Sequence, residues 1–517
     1  MSSPPRNRLP PRRAGLWLLA LLPAAATTAA TYYVRPDGGS AEQCTGLADA
    51  PYPGSGRARA CAWSHPFVAL PPSAPERPVA ARIRGGDTLI VGSGSYMMGY
   101  GAAGAAEMAA CYASFTPDCR MQPVPAGPDP AHRTRVLGQG WDAGCARPPQ
   151  LWGTRAVHRV LDLTRSSNVE VGCLEITDHS SCIVNHCIGG HCAGEVDRCT
   201  DGADARHAQN GLWSTDAADV YLHDLDIHGI AGAGVHAGRM TDWRVERVRI
   251  RANGFAGWDA DVSNGGVESA SNAGTLRFSH LEIAWNGCGE RYPGGEVFGC
   301  WGQEEGGYGD GFGTGKSAGH WVFEDSHVHH NTQDGLDLLH AGEGTVELRR
   351  VRAEANAGNQ LKAAGAVRIE DAQVVGSCAA LRGVGNLGEG DLCRADGAAI
   401  ALALEDGKRS VVERSTISGQ GGCLVVGSGG GESAVLALRG NTLTGGPRWD
   451  DPGRLTCGYY LYESRGRVEA SGNRISNVKI STEADPCAGR DAASLVGRAC
   501  EKLKSAYRAL QGAEGRP

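Results

Sequence analysis

Short segments of alternating apolar and polar residues recur along this chain, each closing on an asparagine or glycine. Well-formed copies begin at Asn168 (N-V-E-V-G-C-L-E-I), Asp219 (D-V-Y-L-H-D-L-D-I-H-G), Asp242 (D-W-R-V-E-R-V-R-I-R-A-N-G), Thr275 (T-L-R-F-S-H-L-E-I-A-W-N-G), His320 (H-W-V-F-E-D-S-H-V-H-H-N) and Thr345 (T-V-E-L-R-R-V-R-A-E-A-N). Weaker copies start near Ala366, Ser410, Ala434 and Arg467. A period of two marks strands rather than helices. Between copies lies a third short strand, read in G-V-H-A-G from Gly234, G-W-D-A-D from Gly257, D-G-F-G-T from Asp310, D-G-L-D-L from Asp334 and N-Q-L-K-A from Asn359. One turn of three short strands cannot bury its apolar face alone, so turns must stack. The expected fold is all-β, a right-handed parallel β-helix of about ten coils. Asn253, Asn286, Asn331 and Asn356 hold one place in consecutive copies. They should form a ladder at a tight turn, because asparagine tolerates left-handed backbone and its amide satisfies buried peptide groups.

The two ends read differently. Arg6, Arg8, Arg12 and Arg13 precede an apolar run from Leu16 to Leu22, and Thr28-Ala29-Ala30 offers a cleavage site. Residues 1–30 are therefore expected to be a secretory signal, since the run is too short to span a bilayer. Residues 31–487 would form the β-helix, with an N-terminal cap and insertions, one of them over 98–160. Residues 488–517 carry Leu495, Leu503, Tyr507 and Leu510 at helical spacing and would form a C-terminal helix. Export places the protein in the periplasm or outside the cell, with no membrane span in the mature chain.

Eighteen cysteines in an exported chain point to disulfides. Cys44 and Cys61, Cys111 and Cys119, Cys288 and Cys300, Cys378 and Cys393, and Cys487 and Cys500 are close neighbours that can pin insertions. The cluster Cys182, Cys187, Cys192 and Cys199 also admits a zinc reading with His186 and His191. The net charge of −7, with no basic stripe, excludes nucleic acid as a partner. An acidic protein that handles an acidic polymer needs local cations, which bound metal can supply.

Aligning the third strands on Trp258, Phe312, Leu336 and Leu361 puts Asp259, Gly313, Asp337 and Lys362 in the following column, with His236 ahead of them. Asp310, Asp334 and Asn359 lie two positions before the apolar residue. Adjacent coils sit about 4.8 Å apart. Asp310, Asp334 and Asp337 can thus converge on one outer patch, with Lys362 one coil on. Asp334 must then lie at a turn, because residues three apart on a strand face opposite sides. Clustered carboxylates suit Ca²⁺. An ion there could bind a uronate carboxylate and acidify the neighbouring C5 proton. A lysine beside it, with a pKa lowered by like charge and burial, could be the general base. The same residues can also form an ordinary cross-coil ion pair. Asp259, His236 and Trp258, with Trp213 and His228, are candidate walls of a sugar groove.

The stretch from Gly309 to Gly365 resembles the family 9 polysaccharide lyases, calcium-dependent pectate lyases on a right-handed β-helix. D-G-F-G at Asp310, Q-D-G-L-D at Gln333 and G-N-Q-L-K at Gly358 match that family's Asp-Gly-Phe, Asp-Asp-Gly-x-Asp and Gly-Asn-x-x-Lys coils. The resemblance implies an acidic polysaccharide substrate, Ca²⁺ on Asp310, Asp334 and Asp337, and Lys362 as the proton-abstracting base. It departs at Gln333, which replaces a family Asp and offers a carbonyl oxygen without charge, a loss that Asp259 in the adjoining column is expected to offset. Two other readings compete. One is a non-catalytic glycan-binding or adhesive β-helix. The other is a polygalacturonase-type glycoside hydrolase, whose paired-carboxylate motif the run from Asn331 to Asp337 loosely resembles. The further Asp-Asp, Gly-His-Gly and Arg-x-Lys segments of those hydrolases are not found at suitable places.

Overall fold

The computed structural model describes residues 29–479 apart from 75–77, 104–109, 185–198, 262–271, 303–308, 385–390 and 394–396. The expected signal up to Thr28, the C-terminal helix over 488–517 and the Cys487–Cys500 pair lie outside the described residues.

The described chain winds into a right-handed parallel β-helix of three sheets. Long strands, Val169–Asp178, Val220–His228 and Arg244–Arg251, bend across the first and second sheets. Arg244–Arg251 pairs at one end with Thr275–Ser279 and at the other with Glu282–Ala284. The third sheet has ten strands that follow chain order from Leu161–Asp162 to Cys457–Tyr462, in line with the expected coil count. The region 98–160 is not one insertion. Thr134–Gly138 and Gln150–Gly153 pair into the first and second sheets, while the part around the Cys111–Cys119 disulfide and the loop between these two strands, tied back by Cys145–Cys173, stand outside the coil. These strands are short and flanked by proline and glycine, which hides their period.

The pleat sends alternate side chains inward, and the inner columns are aromatic at mid-length. Trp258 and Phe312 stack at 5.4 Å, and Phe278 and Phe323 at 4.6 Å. The asparagine ladder is present. Nδ2 of Asn253, Asn286 and Asn331 donates to Oδ1 of the next asparagine at 3.0, 2.9 and 2.8 Å, and Gln360 Oε1 closes the row at 2.9 Å from Asn356 Nδ2. The residue before each asparagine, Ala252, Trp285, His330 or Ala355, has a left-handed φ of 51–59°. That corner turns the chain out of the second sheet toward the third.

The expected pairs Cys44–Cys61, Cys111–Cys119, Cys288–Cys300 and Cys378–Cys393 are disulfides. Cys182 bonds to Cys199, so these two sulfurs are taken from any zinc site. Cys145–Cys173 and Cys423–Cys457 join positions distant in sequence. Cys423 and Cys457 are register partners on adjacent third-sheet strands. Among the described residues no cysteine is free, which suits an oxidising compartment. No described helix is long and apolar enough to cross a membrane.

An antiparallel hairpin, Gly289–Arg291 with Glu296–Phe298, folds back onto the second sheet through a buried charged knot. His228 Nδ1 lies 3.0 Å from Glu290 Oε2, and its Nε2 lies 3.1 Å from Glu175 Oε1. Burial pushes the imidazolium down, but the two carboxylates outweigh it and hold the pKa up at about 9. The folded value exceeds the unfolded one, so the stabilisation is fully present below the unfolded pKa of about 6.5 and fades as pH rises through about 9. It amounts to roughly 3 kcal/mol. Urea unfolding at about pH 7 and about pH 10 should show this loss, and His228→Gln should erase most of the difference.

Candidate functional site

Backbone register builds the site. Val235, Trp258, Phe312, Leu336 and Leu361 are successive partners on the third sheet, and all point into the core. The residue after each points out, giving a continuous strip of His236, Asp259, Gly313, Asp337 and Lys362. Asp162 and Trp213 precede the strip, and Ala401 follows Lys362. Trp258 is therefore not a groove residue: it is fully buried and set edge-on against Phe278 at 5.3 Å. The pleat that turns Asp259 away from the core turns its neighbour into it. His228 also leaves the groove, because it belongs to the second sheet.

A second side-chain ladder runs along the turn before these strands. Asp334 N–H donates to Asp310 Oδ1 at 2.9 Å, Asn359 N–H to Asp334 Oδ1 at 2.5 Å, and Ala398 N–H to Asn359 Oδ1 at 3.0 Å. Asn359 Nδ2 adds a bond to Asp334 Oδ1 at 3.0 Å. One oxygen of each aspartate is thereby committed to backbone, and the other is left for the site. Lys362 Nζ donates to Asp334 Oδ2 at 2.9 Å and to Asp337 Oδ2 at 2.7 Å. Asp334 does lie in the turn, which is how residues three apart reach one ammonium. A Cβ at Gly313 would stand 3.3 Å from Asp310 Oδ2, so the bare glycine leaves that oxygen facing the strip. Gln333 sits in the same turn, its N–H bonded to Gly309 O at 3.1 Å and its carbonyl to Gly358 N at 2.8 Å.

Three carboxyl groups share one ammonium here. Burial, then the charges of Asp334 and Asp337, push Asp310 well above the usual carboxylate range. Burial raises Asp334 too, with Lys362 opposing. Burial pushes the Lys362 ammonium down, but the two carboxylates outweigh this and hold it above the ordinary lysine value. The lowered lysine pKa expected from the sequence is thus not what these residues produce by themselves. The donors are all oxygen and carry surplus negative charge, the chemistry a hard divalent cation takes, but oxygens of the three carboxylates do not all come within 4.8 Å of one another and Lys362 Nζ bonds both Asp334 and Asp337. Further along the strip, His236 Nδ1 lies 3.4 Å from Asp259 Oδ2, and its ring stacks on Trp213 at 4.2 Å. Burial pushes His236 down to about 4 and Asp259 up to about 7. Two strand spacings, about 10 Å, separate Asp259 from Asp337. Asp259 therefore cannot make up for the charge missing at Gln333.

Sequence reasoning overlooked the clamping role of Asn359 and the opening left by Gly313. The first could have been read from the ladder logic applied to the Asp310–Asp334–Asn359 column.

No protein-family model and no curated protein matches the chain. Solved structures do. The chain is similar to pectate lyase Pel9A, at 12% identity over 89% of this chain and 80% of that one, with a TM-score of 0.36. It is similar to an alginate lyase from Paenibacillus sp., at 11% identity over 75% and 93%, with a TM-score of 0.28. It is also similar to the Streptococcus pneumoniae surface adhesin PfbA, at 8% identity over 76% and 89%, with a TM-score of 0.37.

Proposed function

We propose that this protein is a polysaccharide lyase that cleaves an acidic, uronate-containing glycan by Ca²⁺-assisted β-elimination. The observation that carries the reading is the meeting of Asp310, Asp334, Asp337 and Lys362, from three consecutive coils, in one patch with surplus negative charge. The likeness of the same three coils to the family 9 lyases supports it. Ca²⁺ held by Asp310, Asp334 and Asp337, with Gln333 assisting, would supply the positive charge that draws in a uronate carboxylate and acidifies its C5 proton. Lys362 is assigned the proton transfer: with Ca²⁺ taking up the charge of the carboxylates that otherwise hold it as an ammonium, its amine would take the C5 proton, the C–H electron pair would become the C4–C5 double bond, and the C4–O pair would leave on the departing sugar's oxygen, which water protonates. Asp334 and Asp337 position Nζ, and Asn359 positions Asp334. His236 and Asp259 extend the strip for neighbouring sugar units.

One observation favours a second reading. Lys362 and the two carboxylates already satisfy one another, as they would on a non-catalytic glycan-binding or adhesive surface. Incubating the protein with a panel of uronate polymers and Ca²⁺ separates the two. Ultraviolet absorbance of an unsaturated product, abolished by chelation, is the expected result. Asp337→Asn should raise the Ca²⁺ requirement at least about tenfold by removing a charged oxygen, and Gln333→Asp should lower it. Binding of Ca²⁺ and glycan without product would favour the adhesive reading. New reducing ends without unsaturation would mean hydrolysis. No Ca²⁺ binding by the native protein or by Gln333→Asp would leave the patch an inert ion-pair network.

A further inference from the structure

Past Lys362 the charge on the third sheet stops. The outward strip continues by register from Lys362 to Ala401, Val426 and Tyr460. The turn that carries Asp310, Asp334 and Asn359 continues to Ala398 and then to Cys423 and Cys457, where the column is a disulfide. The next outward positions on these strands, Ala364, Ala403 and Ser428, are register partners in turn. Along these columns, among the described residues, no side chain is charged. Val426 and Tyr462 pack against Tyr460 and the disulfide, which makes the shelf firm, and Ala401 and Val426 are half-buried, so both meet solvent. On the other side of the carboxylates the strip runs through Gly313, Asp259, His236 and Trp213 to Asp162. Burial holds His236 neutral. Arg159 is a cation at that end, and it is committed: Nε lies 2.9 Å from Asp162 Oδ2, and the guanidinium covers the Trp213 ring at 5.0 Å. The segments 262–271, after Asp261, and 303–308, before Gly309, contain no lysine or arginine.

We propose that the glycan carries isolated uronates: one uronate unit lies at Lys362 and the carboxylate patch, and the units on either side of it are uncharged sugars. The substrate class is then a polymer that alternates a uronate with a neutral hexose, deoxyhexose or N-acetylhexosamine. The inference rests on the reading of that patch as the uronate site. Register partners sit about 4.8 Å apart, close to the length of one sugar in an extended glycan, so each coil along the strip faces about one unit. A homopolyuronate would bring a carboxylate to nearly every coil. Toward Trp213 those carboxylates would face Asp259 beside an uncharged imidazole. Toward Tyr460 they would leave water for a shelf that offers no cation, and burying an unpaired charge is costly. An uncharged sugar escapes both penalties. Its apolar C–H face, or the methyl of a deoxy or N-acetyl group, can cover Ala401, Val426 and Tyr460. Selectivity therefore comes from what the flanking coils reject as much as from what the patch attracts.

The test compares polygalacturonate and alginate with hyaluronan and a rhamnogalacturonan backbone, two glycans in which each uronate carries a neutral sugar at O4. The readouts, all with Ca²⁺, are rates of unsaturated-product formation by the native protein and calorimetric affinities of the native protein and of Lys362→Arg. An alternating glycan should exceed both homopolymers at least about tenfold in kcat/KM and in affinity. Val426→Lys should narrow that ratio, because it puts an ammonium on the shelf two coils beyond Lys362. If a homopolyuronate is cut as fast as the alternating glycans or faster, the lyase reading stands and this inference falls. If nothing is cut but the alternating glycan is still bound preferentially, the lyase reading falls and the inference stands. Equal affinity for the two classes, or no binding of either at about 1 mM, overturns the inference whatever the activity.

Discussion

Lys362→Arg should leave the protein folded and the glycan uncut. The guanidinium keeps the positive charge and can bond both Asp334 and Asp337, so the ion-pair role survives. It cannot give up its proton in a protein, so the base is gone. Loss of a general base costs roughly 10²–10⁴-fold in rate. Lys362→Ala should lose activity to the same extent, but by a second route as well. Removing the ammonium strands Asp334 in its buried turn and leaves Asp337 beside it without a cation, and breaking such a pair costs about 3 kcal/mol or more. The alanine variant should therefore melt earlier than the arginine variant, and Ca²⁺ should narrow that gap. Initial rates by ultraviolet absorbance, with thermal melts with and without Ca²⁺, read all of this. If Lys362→Arg keeps near-native activity, Lys362 is a structural cation and the proton leaves by another group.

How far the sequence reaches can be seen residue by residue. The apolar column Trp258–Phe312–Leu336–Leu361 sets the true register of the third sheet, because a slip of one residue would turn every core side chain outward. With register known, the placement of Asp337 beside Lys362 follows. The asparagine ladder is legible for a similar reason: one side chain both turns the backbone and satisfies it. Trp258 misleads because its size and chemistry suggest sugar stacking, while the pleat alone decides that it faces the core. The lysine's raised pKa is illegible because it depends on which aspartate oxygens remain after the backbone has taken its share. Asp334 spends Oδ1 on Asn359 and offers only Oδ2 to Lys362. Disulfides divide along the same line. Cys288 and Cys300 close a local hairpin and can be paired by proximity in sequence, whereas Cys145–Cys173 and Cys423–Cys457 need the coil register first.

Asn331→Leu should be among the most destabilising single changes in the chain, although leucine keeps the branched heavy-atom skeleton of asparagine. Asn331 is fully buried, and its side chain makes four hydrogen bonds. Oδ1 accepts from Asn286 Nδ2 at 2.9 Å and Asn286 N–H at 3.1 Å, and Nδ2 donates to Asn356 Oδ1 at 2.8 Å and Ile283 O at 3.2 Å. Leucine leaves those partners buried and unpaired, at about 1–3 kcal/mol for each group that cannot find another. A loss on the order of 4 kcal/mol is expected. The double variant Asn286→Leu with Asn331→Leu should cost less than the sum of the singles, because each removes a group that the other would strand. Urea unfolding of the four proteins measures that coupling. A single-variant cost below about 1 kcal/mol, or strict additivity, would mean that the ladder is not a connected network. The same variant also probes the site. Asn331 anchors the corner from which Thr332 and Gln333 lead to Asp334. If that corner sets the position of Asp334 Oδ2 beneath Lys362 Nζ, Asn331→Leu should lower the rate of glycan cleavage even at temperatures where the coil remains folded. Full activity in a folded Asn331→Leu variant would show that the Asp310–Asp334–Asn359 ladder holds the carboxylates by itself.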